Sequence, residues 1–181
     1  LYVNIHTTAN PGGEIRGQIV FSGLVTLTTS LSGAQEVPPV ATAGTGTSVL
    51  TVDINTGAIS GSVTFSGLGS NAAAAHIHQG AAGVNGPVII PLAGGAGGTS
   101  GTWTVPAGAV LTTAQIAALK ADGLYVNIHT AVNPTGEIRG QIIFSGLITL
   151  TTSLSGAQEV PPVATAGTGT SVLTVDINTG A

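Results

Sequence analysis

No cysteine and no methionine occur among the 181 residues. Without thiols, the chain has no disulfide staple, no thiolate nucleophile and no thiolate metal ligand. Arg16, Lys120 and Arg139 are the whole complement of Lys and Arg. Three scattered cations cannot neutralise a run of phosphates, which excludes nucleic acid as a partner. No apolar run reaches the ~18–20 residues of a membrane-spanning helix, so no transmembrane segment is expected. No Ser-His-Asp arrangement, nucleophile elbow or pair of catalytic carboxylates is present. The stretch GAAGVNG lacks the lysine and the following helix of a phosphate-binding loop. What remains is rich in Gly, Ala, Thr, Ser and Val, with a net charge of −4. Such a charge-poor composition without oxidisable sulfur suits an extracellular chain, either secreted or on a cell surface.

The most conspicuous feature present is a repetition. LYVNIHTTANPGGEIRGQ starts at Leu1 and LYVNIHTAVNPTGEIRGQ at Leu124, an offset of 123. Residues Leu1–Ala58 align without a gap on Leu124–Ala181. Only five pairs differ: Thr8/Ala131, Ala9/Val132, Gly12/Thr135, Val20/Ile143 and Val25/Ile148. A period of this length is domain-sized rather than solenoid-sized. The expected organisation is residues 1–23 as the closing hairpin of one module, 24–146 as a complete module and 147–181 as the opening of a third. No flexible or proline-rich spacer separates them, so stiff coupling into a filament, with adjacent repeats or subunits as partners, is the expected assembly.

Along one period, short apolar/polar alternations are separated by turn residues, the pattern of half-buried antiparallel strands. Strands are expected at Leu24–Thr29, Leu31–Val37, Ala72–His78, Val88–Leu92 and Gly101–Val105. A hairpin is expected over Val49–Leu68, turning at Asn55-Thr56-Gly57, and another over Leu124–Gln141. One helix is expected within Thr112–Asp122, opened by a Thr112/Gln115 capping box and stopped at Gly123. Many short strands with one short helix make an all-β fold, an antiparallel β-sandwich or flattened, Greek-key-like barrel.

The histidines carry the chemistry. In a strand, His76 and His78 share one face while Ile77 points to the core. In the YVNIHT strand, Val126 and Ile128 are the core set, so Tyr125, Asn127 and His129 share the opposite, outward face. If the two strands are neighbours, His76, His78 and His129 converge into a surface site. His6 is the equivalent of His129 in the preceding module. Hairpin parity places Glu137 or Arg139 across from His129. Together with Tyr125 and Asn127, these are the candidates to support the ligands from outside. Three neutral imidazoles suit copper, with zinc as the alternative; the competing reading is of ordinary hydrogen-bonding histidines. Glu137 and Arg139 are expected to form an ion pair or cross-strand ladder, and Glu36 and Glu159 to serve at an interface.

LSGAQEVPPV, AAHIHQGAAGVNGPVIIPL and LYVNIHTAVNPTGEIRGQI, in that order, resemble the CHRD (chordin-type) domain. That resemblance implies an all-β extracellular domain. The HIH strand is also similar to the copper ligands of Cu/Zn superoxide dismutases, although each module lacks a fourth histidine and a disulfide. A structural fibre unit carrying copper is therefore expected. A superoxide-dismutase-like copper enzyme, in which Arg139 guides substrate, and an adhesive module with cell-surface or matrix contacts are the alternatives.

Overall fold

The computed structural model describes residues 1–177; the last four positions of the repeated stretch, 178–181, lie outside the described residues. Two compact units are present. One is the continuous segment Gly23–Phe144. The other joins residues 1–22 to residues 145–177, segments from opposite ends of the sequence.

The continuous unit contains strands β3 (Leu24–Ser32), β4 (Thr45–Asp53), β5 (Ile59–Ser66), β6 (Ala72–Gln79), β7 (Val88–Pro91), β8 (Ala93–Gly94), β9 (Gly101–Thr104), β10 (Leu124–Thr130) and β11 (Ile138–Ile142), with helix α1 (Thr113–Lys120). All pair antiparallel in the order β7-β6-β10-β11-β3-β4-β5-β9-β8. The two outermost strands, β7 and β8, are separated in sequence by Leu92 alone. One residue spans no more than about 7 Å between its flanking Cα atoms, so the two ends of the sheet meet and the sheet curls into a barrel. Closure of this kind leaves little free edge for unwanted pairing.

Alternation decides which residues fill the interior. Leu50, Val52, Ile59, Val63 and Phe65 from the β4–β5 hairpin are buried, as are Ile77, Val126, Ile128, Ile138 and Ile142. Each fully buried aliphatic side chain contributes about 1.5–3 kcal/mol. The opposite face of β3, β4 and β5 carries hydroxyls, among them Thr26 and Thr51 with Oγ1 atoms 3.4 Å apart.

Helix α1 has the expected capping box. Thr112 Oγ1 accepts from the Gln115 N–H at 3.2 Å, and Gln115 Oε1 accepts from the Thr112 N–H at 2.8 Å. Ile116 and Leu119 are its buried residues. Its C-terminal stop differs from the expectation: the left-handed residue is Asp122 (φ 54°), one position before Gly123. The Gly123 N–H then reaches Ala118 O at 2.8 Å and the Asp122 N–H reaches Leu119 O at 3.1 Å, which is the Schellman pattern. The Asp122 carboxylate offsets the strain by accepting from the Phe144 N–H at 2.7 Å. Because the cap is exposed and local, Thr112→Ala is expected to cost about 1 kcal/mol, read as a lowered urea midpoint with no change in slope.

A second expectation is corrected between Leu31 and Val37. The strand ends at Ser32, and Gly33–Gln35 form a 3-10 turn. The Gly33 carbonyl accepts from both Glu36 and Val40, folding the segment back on itself instead of extending it. The turn aims the Gln35 amide into the seam between β3 and β11. There it accepts from the Gln141 N–H (3.1 Å) and donates to Ser30 O (2.9 Å), bridging strands whose registered Cα pair is Arg139 with Ser32.

The other unit is a four-stranded sheet in the order β1-β2-β12-β13. It is built from β1 (Tyr2–Ile5), β2 (Ile15–Gln18), β12 (Leu147–Ser155) and β13 (Thr168–Asp176).

Candidate metal centre

Strands β6 and β10 are hydrogen-bonded neighbours with Asn127 opposite His76, Tyr125 opposite His78 and His129 opposite Ala74. This register sets the three imidazoles on one face. One ligand-capable atom from each of His76, His78 and His129 lies within 4.8 Å of the others. His6 stands in the other unit, exposed, and belongs to no such group among the described residues.

The backbone selects the tautomers. His78 Nδ1 is 2.9 Å from Gly86 O and His129 Nδ1 is 3.0 Å from Pro134 O. A carbonyl only accepts, so each Nδ1 carries the proton and each Nε2 keeps its lone pair. His78 Nε2 is buried and has no hydrogen-bond partner, the kind of orphaned atom that calls for an explanation. His76 Nδ1 lies 3.0 Å from His129 Nε2; in its other neutral tautomer it presents a third lone pair. Burial lowers the pKa of all three, and for His76, where the neighbouring His129 and His78 add to it, the value falls to about 4. All three are therefore neutral at neutral pH, the state in which imidazole binds metal. The donor set and its protonation fit Cu or Zn.

The face is not open surface, which corrects the expectation of an outward site. His78, Tyr125, Asn127, Glu137 and Arg139 are all buried. Period-2 parity identifies which side of a sheet a residue takes, but not whether loops cover that side. Here two segments fold over it, Gly33–Val37 and Ala81–Gly86. They are tied together by Asn85 Nδ2 donating to Val37 O at 2.8 Å, and the Gly86 N–H donates to the Tyr125 hydroxyl at 3.2 Å. A cleft of about 370 Å³ opens between them, lined in part by Gln35, Glu36, Arg139 and Gln141.

Glu137 and Arg139 take separate partners rather than each other. The Arg139 guanidinium donates to Ala81 O (2.9 Å), Gln141 Oε1 (3.1 Å) and Asn85 Oδ1 (3.4 Å). It lies 3.4 Å over the Tyr125 ring, and that ring stacks on His78 with centroids 4.8 Å apart. Arg139 thus braces His78 through Tyr125. Glu137 lies just past the turn end of the β10–β11 ladder, where its N–H donates to Ile128 O at 2.7 Å. It accepts from Thr42 Oγ1 and the Gly69 N–H at 2.6 Å and from Thr130 Oγ1 at 2.7 Å. Burial alone would raise its pKa; these hydrogen bonds outweigh it and hold the carboxyl below its usual value.

Glu36 is not an interface group of the kind expected. The residue is 5 % exposed and its Oε1 has no hydrogen-bond partner. A Cβ at Gly136, whose φ is +131°, would collide with Glu36 Oε1 and Asn127 Nδ2, so glycine is required where these groups meet. Burial pushes the Glu36 pKa up to about 7 against the attraction of Arg139. The sequence singled out this acid for an interface; its burial follows from the 3-10 turn that replaces the expected strand.

The pH dependence follows from opposite signs. Glu36, raised from 4.5 to about 7, contributes stability that is complete below pH 4.5 and lost as pH rises through about 7. His76, lowered from 6.5 to about 4, contributes stability that is complete above pH 6.5 and lost as pH falls through about 4. Within pH 4.5–6.5 the two oppose each other. In Glu36→Gln the histidine effect is uncovered, and chelator-treated protein should gain stability with rising pH across that range, at up to about 1.4 kcal/mol per unit per proton. Urea midpoints at three pH values measure this, and a slope identical to that of the parent chain would refute it.

No curated protein and no solved structure matches the chain. The CHRD domain family model matches residues 1–19 and 27–142. The second stretch holds the HIH strand, the 3-10 turn with Glu36 and the β10–β11 hairpin that together build the histidine centre, and on that match the chain belongs to the CHRD domain family.

Proposed function

We propose that this chain is a structural module of an extracellular fibre, each complete module holding one copper ion on His76, His78 and His129. The observation that carries the metal reading is the buried, partnerless Nε2 of His78, with its Nδ1 proton held by a backbone carbonyl. Clamping the far nitrogen of a ligating histidine orients the ring and raises its basicity. Copper is favoured over zinc because a given nitrogen site binds Cu²⁺ more tightly. The extracellular placement is supported by family membership, since CHRD domains typically occur in secreted proteins. The fibre reading rests on the near-identity of Leu1–Ala58 and Leu124–Ala181 and on the absence of a spacer between the expected modules.

A catalytic reading finds less support. The Arg139 guanidinium, the residue expected to guide a substrate, is occupied by Ala81, Gln141, Asn85 and the Tyr125 ring.

Metal analysis of the purified chain after exposure to equimolar copper and zinc tests the centre: one copper per chain is expected, and a content near zero overturns it. Electron microscopy tests the fibre. End-to-end modules should give an axial repeat of about 35 Å, twice the ~14 Å radius of gyration of a domain this size plus a margin for its surface.

A further inference from the structure

The sheet formed by residues 1–22 and 145–177 is held by a seam between β2 and β12, with Arg16 opposite Ser155. This seam has the same construction as the one between β11 and β3. Gln158 Oε1 accepts from the Gln18 N–H (3.3 Å) and Gln158 Nε2 donates to Ser153 O (2.9 Å), as Gln35 does between Gln141 and Ser30. Thr7 and Thr165 donate to the Glu14 carboxylate at 2.6 and 2.8 Å, as Thr130 and Thr42 do to Glu137. Asn4 donates to Glu159 at 3.4 Å, and Arg16 lies 3.7 Å over the Tyr2 ring, as Arg139 lies over Tyr125. Thr152 Oγ1 adds a 2.8 Å bond to Gln18 O.

In the continuous unit the two sides of the seam, β3 and β11, belong to one uninterrupted segment. In the other unit they come from opposite ends of the sequence and still find the same register and the same polar contacts. Recognition therefore resides in the seam itself, not in the connection between its halves. Nothing in those contacts requires the hairpin and its seat to belong to one molecule.

We propose that the β1–β2 hairpin of one copy of this chain takes the seat on β12 of a second copy, so that copies join by hairpin exchange. The joint uses the contacts seen here within one chain: Gln158 between the strands, Glu14 held by Thr165, and Ile15 and Leu154 buried beneath. It rests on the fibre reading above, for which it supplies the partner and the contact, and it is independent of the metal.

Two variants of this 181-residue chain separate the halves of the joint. Ile15→Asp places a charge in the hairpin's buried face and leaves the seat intact. Leu154→Asp does the converse. Neither alone has a matched hairpin and seat, so each should run as a monomer of about 17.5 kDa. An equimolar mixture retains one sound hairpin and one sound seat per pair, and light scattering should show a 1:1 heterodimer of twice that mass. A mixture that stays at monomer mass at high micromolar concentration overturns the proposal. Trp103, the one tryptophan and buried in the continuous unit, reports by its unshifted emission that this unit is folded, and far-UV circular dichroism reports whether the strands of the other unit are kept. Should either aspartate variant fail to fold, Gly17→Val and Gln158→Ala replace the pair, since a Cβ at Gly17 would sit 2.7 Å from Ser153 O. Wild-type fibres alongside a monomeric mixture would remove hairpin exchange and leave the fibre reading. A heterodimer without wild-type fibres would support the exchange and remove the fibre.

Discussion

Copper binding should vanish in a chain carrying His76→Ala together with His78→Ala. Of the three rings brought together on β6 and β10, only His129 would remain, and a single imidazole does not make a site. His78→Ala alone should weaken binding by more than about 100-fold, the upper end of what the loss of an outer-shell partner costs. That variant removes both the orphaned Nε2 and the ring stacked on Tyr125. The fold should survive, because the imidazoles are neutral and His76 is only half-buried. His6→Ala is the internal control: its ring is exposed and stands outside the cluster, so copper content should be unchanged. Calorimetric titration of chelator-treated protein, with metal analysis after desalting, reads all three variants. Full binding by the double variant would place the metal elsewhere.

Glu137→Ala should be the most damaging single substitution at this end of the barrel. The carboxylate is fully buried and accepts from the Thr42 hydroxyl, the Gly69 N–H and the Thr130 hydroxyl. Its removal leaves three donors facing an empty pocket, each unpaired donor costing about 1–3 kcal/mol before water relieves part of the loss. A net loss of about 3–5 kcal/mol is expected, lowering the midpoint of thermal unfolding by roughly 10 °C or more. Glu137→Gln, which keeps an acceptor and the volume, should lose less. Glu14→Ala, at the equivalent but partly exposed carboxylate, should lose less again, because solvent can reach the freed hydroxyls. A fall of under 2 °C for Glu137→Ala would mean that the three donors find other partners, contrary to the geometry.

The parts of the fold visible in the sequence are those fixed by local rules. Alternation through Leu50, Val52, Val63 and Phe65 marked the β4–β5 hairpin, and Thr112 with Gln115 marked the start of the helix. Parity put Ile77 inside and His76 and His78 on the other face. What parity could not show was the cover. Tyr125, Asn127 and Arg139 alternate as solvent-facing residues would, yet two loops bury them, and those loops have no periodicity of their own. The burial of Glu36 escaped for the same reason: it arises when the chain from Gly33 folds back instead of extending. Arg139 and Glu137 looked like a pair because they are two apart on one face. Apart from Gln141 and Thr130, their partners Ala81, Asn85, Thr42 and Gly69 lie far away in sequence.

The seam bridged by Gln35 also has a mechanical consequence. β3 leaves the start of the continuous unit and β11 returns to its end, side by side and antiparallel. The two points where the chain enters and leaves this unit therefore lie toward the same end of one strand pair. A pull applied through them peels β11 away from β3 instead of sliding one along the other, so that Gln141–Gln35–Ser30 and Arg139–Ser32 are loaded in succession rather than together. Bonds loaded singly give way at low force and re-form when tension is released. Under such a pull this line would open before the β3–β4–β5 ladders beside it, whose strands are paired along most of their length.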